Sequence, residues 1–230
     1  ELKVPDDVSF VRNLLDLDAY DVMDRLFEVE SSVFINSMIL SLVSALSHRL
    51  WEDQDFFGQN GYQIERITVP RQPLSEFVRN DDVVVLVGFA SWDVPLLTRI
   101  ASEVNVLELV DLKEFDVIDF CAGESKVKFF PADKSEEVLA KADVVSITGQ
   151  TVVNDTIDEI LQLSGNARTR IIYGPTSSFY PKVLFERGID VSLSIVFPNT
   201  PEFRQQFVDS RGRWYQMTDV KRFLVTRRSS

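Results

Sequence analysis

The residues most able to do chemistry are glycines, hydroxyls and amides gathered in short stretches. They suit the gripping of a polar or anionic group better than any recognisable covalent step. Gly88-Phe89-Ala90-Ser91-Trp92 closes one apolar run, Thr148 to Thr156 closes a second, and Gly174-Pro175-Thr176-Ser177 closes a third. Glycine at such a place lets the backbone turn tightly and approach a ligand, and free N–H groups at a helix start favour negative or polar groups. Glu108, about 20 residues after Gly88, adds a carboxylate that can accept hydrogen bonds from a ribose or another diol, with Asp111 as the alternative. Each feature also reads as an ordinary turn, a helix cap or a solvated edge carboxylate, but four in one chain say more than any one alone. The candidate ligand contacts are therefore Gly88, Phe89, Ser91, Glu108, Thr148, Gly149, Asn154, Thr156, Gly174, Pro175 and Thr176. Trp92 fits either stacking on a planar ligand or a place in the core.

Several chemistries are disfavoured. No second or third glycine follows Gly88 at dinucleotide-fingerprint spacing, so a pyrophosphate would have a poor cradle. Cys121 is the only cysteine and His48 the only histidine, which excludes an intrachain disulfide and a thiolate–imidazole zinc site. A hard cation held by oxygen ligands stays open. No order or spacing points to a Ser–His–Asp arrangement. His48, on a helix, reads as structural or surface, and Cys121 as a semi-buried residue.

These loops need a scaffold, and the sequence from Asp81 supplies one. Apolar runs at Val83–Val87, Val104–Leu109, Val144–Ile147, Arg170–Tyr173 and Val191–Phe197 read as buried parallel strands, with helical segments between them. Shorter strands are expected at Phe115–Phe120 and Val127–Phe130, and a helix from Ser91 through Ala101. Capping boxes are expected at Asp133–Glu136 and at Thr156 with Glu159. Pro198–Ser230 reads as one or two helices, with Thr200 capping and Pro201 in the first turn. Strand–helix alternation implies βαβ units, an α/β fold with a mostly parallel sheet, and a ligand beyond the strands' carboxyl ends.

The first 80 residues read as mainly helical. Phe10, Val11, Leu14 and Leu15 share one helical face, Asp21–Val29 forms a short helix, and Ser32–Leu50 forms a longer helix that is apolar nearly all round. A strand is expected at Tyr62–Val69, then a proline-bearing linker to Asn80. The division expected is residues 1–80 as a small lid and 81–230 as the ligand-binding unit. The run Val33–Leu46, interrupted by Asn36, Ser37, Ser41 and Ser44, is shorter than the roughly 18–20 residues a membrane span needs, so it reads as a buried helix.

The chain has 230 residues, 45% of them hydrophobic, enough to bury a substantial core. Its formal net charge of −12 argues against nucleic acid and anionic membrane surfaces as partners. No basic region leads into an apolar core at the amino terminus, so no signal peptide is expected and a cytoplasmic location is the expectation. The surplus apolar positions of Ser32–Leu50 would suit a homodimer.

Val83–Phe89, Ala142–Thr156 with its Thr-Gly and Asn-x-Thr elements, Tyr173-Gly-Pro-Thr176 and Leu184–Val191 together resemble the heavy-metal chelation domain family, a family of unknown biochemical function. The resemblance covers about residues 81–196. It implies a Rossmann-like carboxyl-terminal domain with some likeness to methyltransferases, an amino-terminal domain like the small lid of enolases, and a site where they meet. It also implies a role in making or handling small metal-chelating, pterin-like or siderophore-like molecules, with Gly88, Glu108, Thr148, Gly149, Asn154, Thr156, Gly174 and Pro175 in the cleft. At the family's helix motif ending in Asn-Ala, this chain has Ser44-Ala45.

Three functions follow as expectations. One is a small-molecule site serving chelator metabolism, whether or not it turns its ligand over, with the cofactor open. The second is a noncatalytic chelate carrier or sensor. The third is a nucleotide-dependent oxidoreductase or methyltransferase-like enzyme, which the missing glycine fingerprint disfavours.

Overall fold

A computed structural model describes residues 9–67, 76–88, 106–111, 127–212, 217 and 219–228. Six strands run parallel: β2 (Val83–Val87), β3 (Val106–Asp111), β4 (Val127–Pro131), β5 (Val144–Thr148), β6 (Thr169–Gly174) and β7 (Val191–Val196). They lie in the order β4-β3-β2-β5-β6-β7. The chain thus works outward from β2 in one direction, then returns to β2's other side and works outward again. This is the Rossmann order, and it puts the switch point between β2 and β5, where α/β sheets open a crevice.

The inner strands form because they can be buried on both faces. Val85, Val87, Val145, Ile147 and Ile172 enter the larger core with Trp51, Phe57 and Phe185. Val84, Leu86, Val144 and Ile171 enter the smaller one on the other face. Each such side chain stabilises the fold by about 1.5–3 kcal/mol relative to exposure.

Two antiparallel strands extend the sheet beyond β7. β8 (Lys221–Arg227) pairs with β7, and β1 (Tyr62–Ile67) pairs with β8. β8 corrects the all-helical reading of Pro198–Ser230. That stretch begins with α9 (Pro201–Asp209), capped as expected by the Thr200 hydroxyl, which accepts from the Phe203 N–H at 3.2 Å. Arg211 and Gly212 then take positive φ, of 53° and 76°, which ends the helix. Phe223 and Val225 are buried on one face of β8 and Leu224 on the other, because it is an internal strand.

The remaining helices are α1 (Ser9–Arg12), α2 (Ala19–Phe27), α3 (Val33–Ser47), α4 (Gln54–Gln59), α5 (Ser135–Leu139), α6 (Gln150–Val153), α7 (Ile157–Leu163) and α8 (Lys182–Glu186). α1 is shorter than expected. It stops at Arg12, Asp16 adopts a φ of 71°, and Leu14 is buried while Leu15 is 66% exposed, so the proposed common face does not form. α3 starts where the Ser32 hydroxyl accepts from the Ile35 N–H and gives way at His48 to a 3-10 turn ending at Glu52. Only Ile35 and Ser47 of α3 are buried, which corrects the reading of a buried helix. With its 3-10 turn the stretch Val33–Glu52 runs 20 residues, so by length and composition it is long enough to span a bilayer, contrary to expectation. In the fold, α3 is pinned along the carboxyl ends of the sheet. The Asn36 amide donates to the Val153 carbonyl (2.9 Å), and the Ser47 hydroxyl accepts from the Tyr180 N–H (3.1 Å).

Neither expected capping box forms. Ser135 Oγ donates to the Ala132 carbonyl at 2.6 Å, which leaves a 3-10 turn at Ala132–Lys134 ahead of α5. Thr156 is already helical, with ψ of −4°, and its hydroxyl engages Asn154 rather than the start of α7. β3 runs two residues past its predicted end, to Asp111, and the predicted start at Val104 lies outside the described residues. The predicted helix from Ser91 and strand Phe115–Phe120 lie outside the described residues, as do Phe89, Ser91, Trp92 and Cys121.

Candidate functional site

Three of the predicted loops touch one another at the carboxyl ends of β2, β5 and β6. Gly88 ends β2 with a φ of +82°, and a Cβ there would sit 2.4 Å from Thr148 Cγ2. Its carbonyl accepts from the Tyr173 hydroxyl at 2.9 Å, which ties the first loop to β6. Gly149 donates its N–H to the Tyr173 carbonyl (2.8 Å), and a Cβ there would lie 2.6 Å from Thr176 Oγ1. Gly174, with φ of +108°, turns its carbonyl to accept from the hydroxyls of Ser177 (3.0 Å) and Ser178 (2.9 Å). Ser178 Oγ in turn accepts from the Ile195 N–H at 2.6 Å, fastening the loop to β7.

Over this floor lies α3, and between them is a cavity of about 430 Å³. Pro175, Thr176 and Ser178 line it from the loop after β6, and Ile195 to Asn199 line it from the end of β7. Ser37, Ser41, Ser44 and His48 line it from above, spaced i, i+4, i+7 and i+11 so that they share one helix face. Trp51, on the 3-10 turn, closes the end. Its volume is in the range of small-molecule sites, about 300–1,000 Å³.

Of the sequence-predicted residues, Pro175 and Thr176 line the cavity. Gly88, Thr148, Gly149 and Gly174 shape the backbone behind them. Asn154 and Thr156 lie at the carboxyl end of α6. With its amide nitrogen turned toward its acceptors, Asn154 donates to the carbonyls of Gln150 and Thr151 (3.1 Å each) and to the Thr156 hydroxyl (2.8 Å). That network shapes the turn that Asn36 of α3 grips through Val153. Glu108 stands in the middle of β3, beside Val85 and Lys128, and Asp111 is the residue at that strand's carboxyl end.

Sequence reasoning missed the upper wall. A signal was present: in an otherwise apolar helix the serines and His48 fall on one face. The hydroxyls of Ser37 and Ser41 donate back to the carbonyls of Val33 (2.7 Å) and Ser37 (2.8 Å), so toward a ligand they offer acceptor lone pairs. His48 Nε2 lies 3.1 Å from the Phe197 carbonyl. Because a carbonyl only accepts, Nε2 carries the proton there, and in the uncharged ring Nδ1 is an acceptor. Trp51, 1% exposed, has an indole N–H without a partner among the described residues.

Among the described residues that line the cavity there is no carboxylate, lysine or arginine, and His48 is the one titratable side chain. Nearby Glu52 sits below the usual glutamate range because it accepts a hydrogen bond from Lys221, with the charges of Lys221, Arg66 and His48 adding to the effect. Among the described residues no three His, Cys, Asp or Glu side chains come together as a metal site.

Comparison with known proteins agrees with this architecture. An uncharacterized protein of Methanocaldococcus jannaschii is 29% identical over 117 residues, 50% of this chain and 42% of that protein, so the chain spans less than half the length of this curated relative. A crystal structure of a DUF364-family protein of unknown function from Desulfitobacterium hafniense matches with a TM-score of 0.66 and 19% identity, over 96% of this chain and 78% of that one. A second, from Pyrococcus horikoshii, gives a TM-score of 0.66 and 12% identity over 91% and 76%. At these identities the two structures speak to fold alone. The family model described as "Putative heavy-metal chelation" matches residues 73–223, and the chain belongs to that family, DUF364.

Proposed function

We propose that this protein binds a small molecule in the cavity between α3 and the carboxyl ends of β6 and β7, and that it serves the making or handling of a metal-chelating compound of pterin-like or siderophore-like kind. The observation that carries this reading is the cavity itself. It has apolar walls from Leu40, Phe197 and Pro198, and hydroxyl, imidazole and amide groups set among them. Family membership supports the metal-chelator context. The candidate contacts from the glycine loops act in this reading mainly by holding Pro175 and Thr176 in place.

The test is thermal-shift screening with pterins, simple catecholate and hydroxamate chelators with and without divalent metal, nucleotides and adenosylmethionine. A ligand at about 100 times its Kd stabilises by about 2.7 kcal/mol. For a chain of this length that is a rise of roughly 5–10 °C. No shift with any chelator or pterin refutes the reading, and a shift with nucleotides alone redirects it to the nucleotide-dependent alternative.

A noncatalytic carrier or sensor is the second reading. It is favoured by there being one titratable group among the described lining residues, since acid–base catalysis commonly pairs two. Stoichiometric binding with unchanged ligand recovered afterwards supports it, and a transformed ligand overturns it.

A further inference from the structure

We propose that the outer face of α2 is a docking site for a short helix of a partner protein, one that carries an apolar stripe flanked by lysine or arginine. The proposal is independent of the cavity and of what the cavity binds.

α2 is apolar on two faces. Val22, Leu26 and Val29 turn inward and share a small core with Leu14 and with Ile35 of α3. Tyr20, Met23 and Phe27, spaced i, i+3 and i+7, make a second stripe on another side of the helix. The aromatic ends of that stripe stand in solvent. Tyr20 is 80% exposed and Phe27 68%, while Met23 between them is half-buried. The two rings leave roughly 300 Å² of mostly apolar surface in water, the scale at which a patch marks an interaction site. Anchors at this spacing are those by which one helix docks on another surface.

The charges around the stripe select its occupant. From Asp16 to Glu30 the chain carries six carboxylates and one arginine, and all six carboxylate residues are exposed. At about 100° per residue, Asp24, Glu28 and Asp21 follow Tyr20 round one side of the helix at about 40°, 80° and 100°, and Arg25 lies beyond them at about 140°. On the other side of the stripe come Met23 and then Leu26, which leads to the contact with α3.

A second copy of this chain fits that surface badly. If two α2 helices met antiparallel about a two-fold axis, the same flank of each would fall on the same side. Asp21, Asp24 and Glu28 would then face the same carboxylates of the second copy. Parallel pairing would set those carboxylates against the apolar flank that Met23 and Leu26 form, which costs their hydration. The patch is also small, since a stable interface between folded proteins buries about 800 Å² on each side. A short helix with apolar side chains for Tyr20 and Phe27 and cations for the flanking carboxylates meets neither obstacle. Opposite charges along the rim also speed its approach and fix its register.

The test uses the full chain and a fluorescein-labelled amphipathic peptide with leucines in an i, i+3, i+7 stripe and lysines along both flanks. A matched peptide carries glutamates in place of the lysines. Fluorescence anisotropy compares the parent with two variants. Tyr20→Ser with Phe27→Ser removes the stripe and keeps every charge. Asp21→Asn with Asp24→Asn and Glu28→Gln keeps the stripe and removes the charges. All the replaced side chains are exposed, so both variants should keep the parent's circular dichroism spectrum. The lysine peptide should bind the parent, and the glutamate peptide should not. The stripe variant should bind the lysine peptide at least tenfold more weakly, and the charge variant about fivefold to tenfold more weakly. If the lysine peptide does not bind the parent, or if the stripe variant binds it as well as the parent does, the proposal is overturned. Sedimentation velocity gives a further arm: a parent that self-associates beside a stripe variant that does not would make the face an interface between copies. Flotation with neutral phosphatidylcholine vesicles gives the last: vesicle binding by the parent and not by the stripe variant would make it a lipid contact. Either result also overturns the proposal.

Discussion

Adding one methyl group at Gly149 tests the contact between the loops that form the cavity floor. Gly149 has a φ of −61°, which any residue tolerates, so the backbone itself does not object to alanine. The obstacle is space. The new Cβ would lie 2.6 Å from Thr176 Oγ1, 2.7 Å from Ser177 N and 3.0 Å from Ser177 Cβ. The Thr176 hydroxyl can rotate away, but the Ser177 backbone cannot. Ser177 is fully buried, and its hydroxyl is tied to the Gly174 carbonyl at 3.0 Å. Overpacking of this kind costs about 1–3 kcal/mol. Replacing glycine by alanine returns about 0.4–1 kcal/mol by restricting the unfolded chain. The net runs from about 0 to 2.6 kcal/mol of destabilisation, centred on about 1.3 kcal/mol, a few degrees in Tm for a chain of this length. Urea unfolding followed by circular dichroism reads it, with Gly165→Ala as the control. Gly165 has no positive φ, and its nearest obstacle is the Gln162 carbonyl at 3.3 Å, so that variant should fall within about 0.5 kcal/mol of the parent. Adding Thr176→Ala to Gly149→Ala should recover only part of the loss, because Ser177 N remains. If Gly149→Ala is as stable as the parent, the two loops are not in contact as described, and the floor of the cavity is wrong.

Three further outcomes follow from particular contacts. Arg168→Ala should destabilise by about 3 kcal/mol, measured by chemical denaturation, because the buried Asp82 carboxylate that Arg168 grips with both nitrogens at 2.7 and 2.5 Å loses its counter-charge and keeps the Arg79 N–H as its partner. Tyr180→Phe should cost nothing, or stabilise by about 1 kcal/mol, because the buried hydroxyl has no partner among the described residues. Burial and the neighbouring Tyr62 hold the Tyr180 hydroxyl above the ordinary tyrosine range, so the unfolded chain ionises first and stability falls as pH rises from that range toward the higher value held in the fold. The phenylalanine variant should lose that alkaline slope, and a variant that unfolds more readily at neutral pH would show the hydroxyl to be bonded. Glu52 is held below the ordinary glutamate range by Lys221, so its contribution is full above that range and disappears as pH falls through the lowered value. Both side chains are substantially exposed, which limits the effect to a few tenths of a kcal/mol. Glu52→Gln should flatten that part of the acid limb of the stability profile, and an unchanged limb would show that the pair contributes nothing.

The inner parallel strands were readable because they contain short apolar runs buried on both faces, and such a run has few alternatives. Val83–Val87 and Val144–Ile147 are of this kind. β8 was not readable. Lys221-Arg222-Phe223-Leu224-Val225 has a basic start and a three-residue apolar centre, and only its place between β7 and β1 makes it a strand. Helix starts misled where a hydroxyl had a closer acceptor than the expected N–H, as at Ser135 and Thr156. The glycine loops were legible because glycine at a strand's end has few other uses. The upper wall of the cavity was not, since a serine bonded back to its own helix gives the same sequence pattern whether it faces a ligand or a neighbouring side chain. Trp51 was invisible for a related reason: sequence shows an indole, but neither its burial nor whether its N–H is satisfied.

The ladder between β1 and β8 has a mechanical meaning for the cavity. The ladder joins β8, the last strand in the chain, to β1, which follows the helix roofing the pocket by way of the 3-10 turn and α4, with register from Tyr62 opposite Arg227 to Ile67 opposite Arg222. Roof and floor are therefore clasped from behind, independently of the peptide connection through residues 68–75. A protease cut in that connection would leave two pieces still interlocked. The pocket would outlast the scission of its own backbone, so a nicked preparation should retain the ligand affinity of the intact chain.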